Sequence, residues 1–133
     1  MPQTPSHEKL AKIAKIARFN DHFRTIVYHL IISIRNSKNS CLCLSTSISE
    51  LRVERIVWIV EAVANWTDVN PTSERKCGEV TAKCYDINWK IDYFDIKTGA
   101  SKQSASSKDQ SATNRVLSIK LQEENWYKDS TLA

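Results

Sequence analysis

Late in the chain, two segments alternate apolar and polar residues with the two-residue period of a β-strand. Ile87, Trp89, Ile91 and Tyr93 share one face of the segment 87–94, as Leu117, Ile119 and Leu121 do in 116–121. Val80 and Ala82 alternate in the same way just before, and a turn near Lys83 and Cys84 joins these two runs. The pattern predicts a β-hairpin and a further strand.

Two other segments carry apolar residues with the period of an α-helix. The first contains Leu10, Ile13, Ile16, Ala17, Phe23 and Val27, which predicts an amphipathic helix from Thr4 or Ser6 to about Arg24. The second contains Val53, Ile56, Val57, Val60, Val63 and Ala64. Ser47 and Glu50 have the spacing of a capping box, which predicts that the second helix begins there.

The stretch between the two helices predicts a second hairpin. Residues 25–34 are rich in Ile and Val, 36–39 have the composition of a turn, and 41–44 form a short apolar run. At least one of the two apolar runs is expected to be a strand. Further on, residues 97–113 are rich in Ser, Lys, Ala and Gln, which predicts an exposed, mobile loop.

These elements predict an α+β fold in a single domain over residues 1–133, because a chain of this length supports one core. Two amphipathic helices are expected to pack on one side of an antiparallel sheet of four to five strands. The residues predicted to face the helices are Trp89, Ile91, Leu117 and Ile119.

Composition limits which classes of protein the chain can belong to. The most apolar run, 26–34, is interrupted by His29 and Ser33 and is far shorter than the roughly 20 residues of a membrane span. The amino terminus lacks the basic-then-apolar order of a secretory signal. Four cysteines are few for a disulfide scaffold, so reduced thiols are expected. We therefore predict a cytoplasmic protein with no membrane partner.

Charge is unevenly distributed. The chain carries a net +4, whereas residues 1–40 alone hold seven Lys or Arg against two acids. Lys9, Lys12 and Lys15 of the first helix are therefore candidate contacts for a nucleic-acid backbone. The alternative is that these lysines only solvate the outer face of the helix.

Trp58 is the candidate partner-binding residue. Helical spacing puts it among Glu54, Glu61 and Asn65, opposite the apolar stripe. An aromatic side chain on a polar face offers a large contact area at small entropic cost. The alternative is a helix buried on two sides, which Ile59 also suggests. The helix surface around Trp58, or an open sheet edge, is also where a homodimer would form.

Asp92, Asp95 and Lys97 end a predicted strand and are one element of metal-dependent nucleases. Glu74 or Glu79 would supply a third carboxylate, although Asp92 could instead pair with Lys90. The cysteines lack the spacing of a zinc knuckle, and small-hydrophobe packing accounts for them better. Glycine-rich phosphate loops, nucleophile elbows and zinc-protease helices are not present in the sequence. The sequence therefore predicts neither cofactor nor structural metal.

Three motifs together resemble a known family. They are Phe19-Asn20-Asp21 with Phe23-Arg24, then Trp89 to Asp95, then Thr113 with Arg115 to Glu124. They are similar to the patterns LNDxFR, FWKIDYYD and TxRVLTIMLAEEY of a short family from alphaproteobacterial chromosomes, plasmids and prophages, known as a domain of unknown function. The family's glycine-bounded strand would align with 30–35 or with 41–47. In the loop before Gly78, this chain has Arg75 and Lys76 where the family has His and Asp.

The resemblance implies an accessory protein of a bacterial mobile element or prophage. Small proteins of that kind commonly act on another macromolecule, so we predict a non-enzymatic protein-interaction module with an unidentified protein partner. Nucleic-acid binding through the first helix and a metal-dependent nuclease are the two alternatives.

Overall fold

The structure is a computed structural model that describes residues 6–33, 41–68, 70–102, 113–124, 126 and 130–132. The helices are α1 (His7–Ser33), the single turn α2 (Thr46–Ser49) and α3 (Val53–Ala64). The strands are β1 (Leu42–Ser45), β2 (Cys77–Ala82), β3 (Tyr85–Asp95), β4 (Ser101–Lys102), β5 (Thr113–Leu121) and β6 (Ser130–Leu132). The predicted α+β class is confirmed. Among the described residues, no helix combines the length and the apolar character that crossing a membrane requires.

The sheet is mixed rather than purely antiparallel. Its order is β2-β3-β5-β1-β6, and β4 adds a short pairing to β3. The predicted β2–β3 hairpin and its pairing to β5 are antiparallel. β1 inserts on the far side of β5 and runs parallel to it, with Leu42 opposite Leu117 and Leu44 opposite Ile119. This placement buries Leu42 and Leu44 in the centre of the sheet.

One face of the sheet forms the core with the helices. Trp89, Ile91, Leu117 and Ile119 are each at most 3% exposed, as predicted. α3 contributes Ile59, Val60 and Val63, while α1 contributes Ile16 and Val27. Apolar burial of this extent is the main favourable term in folding.

The predicted end of α1 at Arg24 is wrong, because the helix continues to Ser33. Residues 25–34 were expected to be one arm of a hairpin because of their β-branched composition, but that preference is weak and packing overrides it, so the described part of this arm is helical. Val27 is fully buried and Ile31 packs against the core at helical spacing. The other arm, 41–44, is largely the strand β1, as expected. The predicted turn at 36–39 lies outside the described residues.

The predicted capping box is also wrong. Ser45 is the residue that caps α2, and its Oγ accepts a hydrogen bond from the Ile48 N–H at 3.4 Å. Ser47 lies inside α2 and Glu50 follows its end, while α3 begins only at Val53. Ser45 ends the buried strand β1 and immediately precedes α2 with an extended backbone, and its Oγ also donates to Glu124 Oε1 at 2.6 Å.

The stretch 97–113 is only partly described. Residues 97–100 are exposed, Ser101–Lys102 form β4, and Thr113 is buried at the start of β5. The remainder, 103–112, lies outside the described residues. Asp95 shapes the turn at the start, because its Oδ1 accepts from the backbone N–H of Lys97 at 2.8 Å and of Thr98 at 3.1 Å.

Candidate functional site

Asn20 is a polar residue buried in the middle of α1, with no exposed surface. Its Nδ2 donates to the Tyr93 hydroxyl at 2.8 Å and to the Glu74 carbonyl oxygen at 2.9 Å. Its Oδ1 accepts from Arg115 Nε at 2.7 Å. One amide therefore ties α1 to β3, to β5 and to the loop that precedes β2.

Tyr93 extends this network. Its hydroxyl donates to Glu74 Oε1 at 2.9 Å while it accepts from Asn20. Burial raises the pKa of Tyr93 well above its ordinary value, with Asn20 acting in the opposite direction. The phenol is thus a neutral hydrogen-bond donor at physiological pH. Burial lowers the pKa of Arg115, because it disfavours the charged guanidinium. The guanidinium carbon of Arg115 lies 5.5 Å from the Tyr93 ring centre.

Arg24, one helical turn after Asn20, is 1% exposed. Its guanidinium donates to the carbonyl oxygens of Val63, Arg75 and Trp66 at 3.0–3.1 Å and to Asp21 Oδ1 at 2.9 Å. Its carbon also lies 4.7 Å from the Trp89 ring centre and 5.6 Å from that of Trp66. Val63 lies in the last turn of α3 and Trp66 just beyond it, so Arg24 binds carbonyls at the C-terminal end of the helix, where the Val63 oxygen also accepts from the Trp66 N–H at 3.3 Å. Burial lowers the pKa of Arg24, and the hydrogen bond to Asp21 opposes that shift.

Asp21 joins the two arginines of this region. One carboxylate oxygen accepts from Arg24, and the other accepts from Arg75. Arg75 adopts a left-handed backbone with φ of 55°, and its N–H bonds to Ser73 Oγ at 3.0 Å.

The network holds Trp66, Glu74 and Arg75, which lie between α3 and β2, against α1 and the sheet. Asn20, Arg24 and Tyr93 direct their polar atoms at other parts of the protein, which is the arrangement of a structural cluster rather than of a reacting centre. The motif residues were noted in the sequence, but their shared role was missed. Ile16, Asn20, Arg24 and Val27 recur at spacings of three and four, and this spacing alone puts two polar residues on the buried face of α1.

The candidate nuclease residues are not brought together. Asp92 lies on the outer face of β3, with its carboxylate 3.4 Å from Lys90 Nζ, whereas Asp95 falls on the opposite face by strand alternation. Backbone hydrogen bonds from Thr98 and Lys97 lower the pKa of Asp95, and Glu74 accepts from Tyr93. Among the described residues, no group of three His, Cys, Asp or Glu is placed to hold a metal ion.

The four cysteines are thiols in different environments. Cys41 and Cys43 are half-buried, and Cys41 packs against the core as a small hydrophobe. Cys77 and Cys84 are exposed, one at the start of β2 and the other in the hairpin turn. Hydrophobic packing was therefore the wrong interpretation for the second pair.

The outer face of α3 carries the residues that helical spacing assigned to it. Trp58 is 36% exposed, and Glu54, Glu61 and Asn65 are exposed around it. Lys83 Nζ lies 4.3 Å from the Trp58 ring centre. On the α1 side, the Tyr28 hydroxyl donates to Glu61 Oε2 at 2.8 Å. We call this surface, centred on Trp58 with Glu54 and Glu61, the α3 outer face.

The lysines of α1 lie near its amino end. Lys9 and Lys12 are exposed and Lys15 is half-buried. Lys12 Nζ lies 3.5 Å from Glu8 Oε1, with both side chains more than half exposed. An exposed pair of this kind is screened by solvent and leaves the helix end basic overall.

Comparison with known families identifies the family of this chain. The family described as Protein of unknown function (DUF3768) matches residues 43–124 of the 133. The chain belongs to this family. The match runs from β1 through β5 and so includes Trp58, Tyr93 and Arg115, while Asn20 and Arg24 of α1 lie before it. None of the curated proteins and none of the solved structures matches the chain.

Proposed function

We propose that this DUF3768 protein is a non-enzymatic protein-interaction module that binds a partner through the α3 outer face. One observation carries the proposal: Trp58 is a large aromatic side chain left 36% exposed on a helix whose other face is anchored in the core. Tryptophan is among the residues that dominate binding energy when a partner covers them. We extend the proposal to an accessory role in a bacterial mobile element or prophage, which the motif resemblance supports.

Two exposed acidic side chains on α3 are the proposed charge contacts for the partner. Glu54 lies one turn before it and Glu61 nearly one turn after it, and both carboxylates are exposed. A complementary surface carries basic side chains around an apolar centre. Lys83, 4.3 Å from the ring centre, restrains the orientation of the indole, which reduces the entropy lost on binding.

The test is affinity capture from the native host, followed by measurement of the affinity of the purified partner. Trp58→Ala is expected to weaken binding at least about tenfold, and Glu54→Lys with Glu61→Lys to weaken it further through charge repulsion. Phe19→Ala is the matched control, because Phe19 is also an exposed aromatic, at 42%, but lies on α1.

A partner that binds Trp58→Ala and wild type equally would overturn the proposal. Recovery of the protein itself would identify a homodimer, and sedimentation of Trp58→Ala would then show a shift toward monomer. Equal loss in Trp58→Ala and Phe19→Ala would also count against the α3 outer face.

Nucleic-acid binding through α1 is a second candidate, supported by the exposure of Lys9 and Lys12 in the basic first forty residues. It predicts a retarded DNA or RNA band that weakens steeply with salt. Lys9→Glu, Lys12→Glu and Lys15→Glu together would abolish the shift and leave Trp58-dependent capture intact. Unchanged mobility at low salt would remove this candidate.

A further inference from the structure

β2 is an outermost strand of the sheet and pairs on one side only, with β3. Where this pairing starts, the Ile91 N–H bonds to the Lys76 carbonyl oxygen at 2.6 Å. Backbone groups alternate in direction along an antiparallel strand, so those that bond to β3 belong to Gly78, Val80 and Ala82. Those that point away from the sheet belong to Cys77, Glu79 and Thr81. We call this outward row of N–H and carbonyl groups the β2 edge.

The β2 edge is left open in the described part of the chain. No other strand pairs with it there, and no backbone hydrogen bond of a described turn or loop reaches it. At the other end of the sheet, by contrast, β6 covers β1. β2 also lacks the proline and the bulge with which open edges are commonly blocked, since its register with β3 is continuous from Cys77 to Ala82. The β2 edge is therefore a template on which another strand can pair.

We propose that a second copy of this chain occupies the β2 edge, through antiparallel pairing of β2 with β2. N–H and carbonyl groups that recur every two residues are satisfied together by another extended strand. A second copy brings a strand that β3 already holds extended, so pairing costs less conformational entropy than the ordering of a free peptide. A two-fold symmetric contact then requires only that one patch complement itself.

The side chains of β2 favour one register for this contact. Glu79 is the only charged residue of the strand, and a two-fold axis at Glu79 would place two carboxylates directly opposite each other, which is unfavourable. An axis at Val80 avoids the repulsion, because it puts Glu79 opposite Thr81 of the second copy. It also puts Val80 opposite Val80 on the face that packs against the core. Self-pairing therefore continues the sheet without opposing like charges.

The test is amide hydrogen exchange of the full chain, followed residue by residue by NMR, together with sedimentation velocity. As the concentration rises from micromolar to millimolar, a dimer is expected to form and the Glu79 and Thr81 amides to become protected severalfold. The Cys77 amide is expected to stay unprotected, because in this register it lies beyond the paired stretch. The Val80 amide bonds to β3 and is expected to exchange slowly at every concentration.

Variants assign the dimer to the backbone of β2. Glu79→Pro removes one outward N–H, which the pairing with β3 does not use, and is expected to abolish the dimer and the protection of Thr81. Glu79→Gln is the matched control at the same position. It is expected to dimerise at least as tightly as wild type, because it removes a carboxylate of each copy from near the two-fold axis.

Thr81→Pro is a second edge variant, because it removes the other outward N–H of the paired stretch. Slow exchange at Val80 establishes that β2 is still paired with β3 in each variant. The exchange pattern of the wild-type chain tests the proposal even where a proline variant does not fold.

Three results would overturn the proposal. The first is a monomer at every concentration with rapid exchange at Glu79 and Thr81, and the second is a dimer that persists in a folded proline variant. The third is protection of these amides only after a different protein is added, which would assign the β2 edge to a strand of that protein. Trp58→Ala is expected to leave the protection of Glu79 unchanged, so a failure of the α3 outer face and a failure of the β2 edge are told apart.

Discussion

A cation lies over a tryptophan ring in two very different places in this protein. Arg24 is enclosed between Trp89 and Trp66, with Arg24 and Trp89 each 1% exposed. Lys83 lies 4.3 Å from the ring centre of Trp58 at the protein surface. The same attraction between charge and ring therefore operates once inside the fold and once in contact with water.

Burial explains why the two pairs have different consequences. A buried guanidinium has to have its donors satisfied, and Arg24 does so by binding three backbone carbonyls and Asp21. Lys83 is exposed and stays hydrated, so its contact with Trp58 contributes at most about 0.5 kcal/mol, the low end for exposed pairs. The buried pair holds the loop 66–76 on the core, whereas the exposed pair shapes a surface that a partner can cover.

Arg24→Met is expected to lower the free energy of unfolding more than any other substitution proposed for this comparison. The substitution removes the donor to the Trp66 and Arg75 carbonyls and to Asp21, while the Val63 carbonyl keeps the Trp66 N–H, and each buried group left unsatisfied costs about 1–3 kcal/mol. Water reaching the partly exposed side of the loop reduces the total, so we expect a loss of about 3 kcal/mol or more in the free energy of unfolding, measured by urea denaturation.

Arg24→Lys separates charge from geometry. Lysine retains the positive charge but not the planar fork that reaches several carbonyls at once. We therefore expect Arg24→Lys to lose more than half as much free energy of unfolding as Arg24→Met. A variant Arg24→Met as stable as wild type to within about 1 kcal/mol would show that the buried pair does not hold the loop.

Gly78→Ala tests the packing of Trp66, the second tryptophan ring beside Arg24. A Cβ at residue 78 would lie 2.7 Å from Trp66 Cε2 and 2.8 Å from Cζ2. The Trp66 ring is held edge-on to Trp89 with centres 5.0 Å apart, so it has little freedom to retreat. We expect a loss of about 1–3 kcal/mol from overpacking, together with a change in tryptophan fluorescence.

Gly99→Ala is the matched control for this substitution. Gly99 has φ of 72°, and among the described residues no atom lies within 4 Å of the place its Cβ would take. Its cost, about 1–2 kcal/mol, comes from backbone conformation alone. Tryptophan fluorescence should stay unchanged, and a shift as large as that of Gly78→Ala would contradict the packing explanation.

The buried region was only partly predictable from sequence. The inner face of the sheet was predicted correctly because strand alternation places Trp89 and Leu117 without reference to the rest of the fold. The helix was predicted to end near Arg24 because the β-branched composition of the residues after it favours a strand, and a charged residue within an apolar stripe gives no local sign of being buried. The partners of Arg24 are carbonyls of Val63, Trp66 and Arg75, which are distant in sequence and leave no local pattern.

The position of β1 was unpredictable for a related reason. Its short apolar run predicts a strand, but pairing in parallel with β5 depends on which chain segments meet after folding. The exposed side of α3 was easier to predict, because helical spacing alone puts Trp58 on a different face from Val60 and Val63.

Tyr93→Phe extends the comparison to a neutral polar group in the buried region. Removal of the hydroxyl deprives Glu74 Oε1 of a donor, and we expect a loss of about 1 kcal/mol at pH 7. The pKa of Tyr93 is raised in the folded protein, so the unfolded chain ionises first as pH rises through the ordinary value of about 10. Stability contributed by the neutral phenol is therefore present below that pH and declines above it.

Denaturation between pH 8 and about 11 measures this effect. The variant Tyr93→Phe should be less stable than wild type at neutral pH but should lose stability less steeply as the solution becomes alkaline. Parallel pH profiles for the two proteins would show that Tyr93 ionises as readily in the fold as in the unfolded chain.

Lys83→Ala is expected to have the smallest effect and tests the exposed pair directly. Alanine keeps a Cβ, so the left-handed backbone at residue 83, with φ of 55°, costs the same in both proteins. Because the ammonium is hydrated, the free energy of unfolding should change by less than about 0.5 kcal/mol. Trp58 fluorescence should shift as the ring loses its neighbour, and partner affinity should fall less than in Trp58→Ala. A loss of stability as large as that of Tyr93→Phe would mean that Lys83 and Trp58 stabilise the fold. That result would contradict the proposal that the α3 outer face binds a partner.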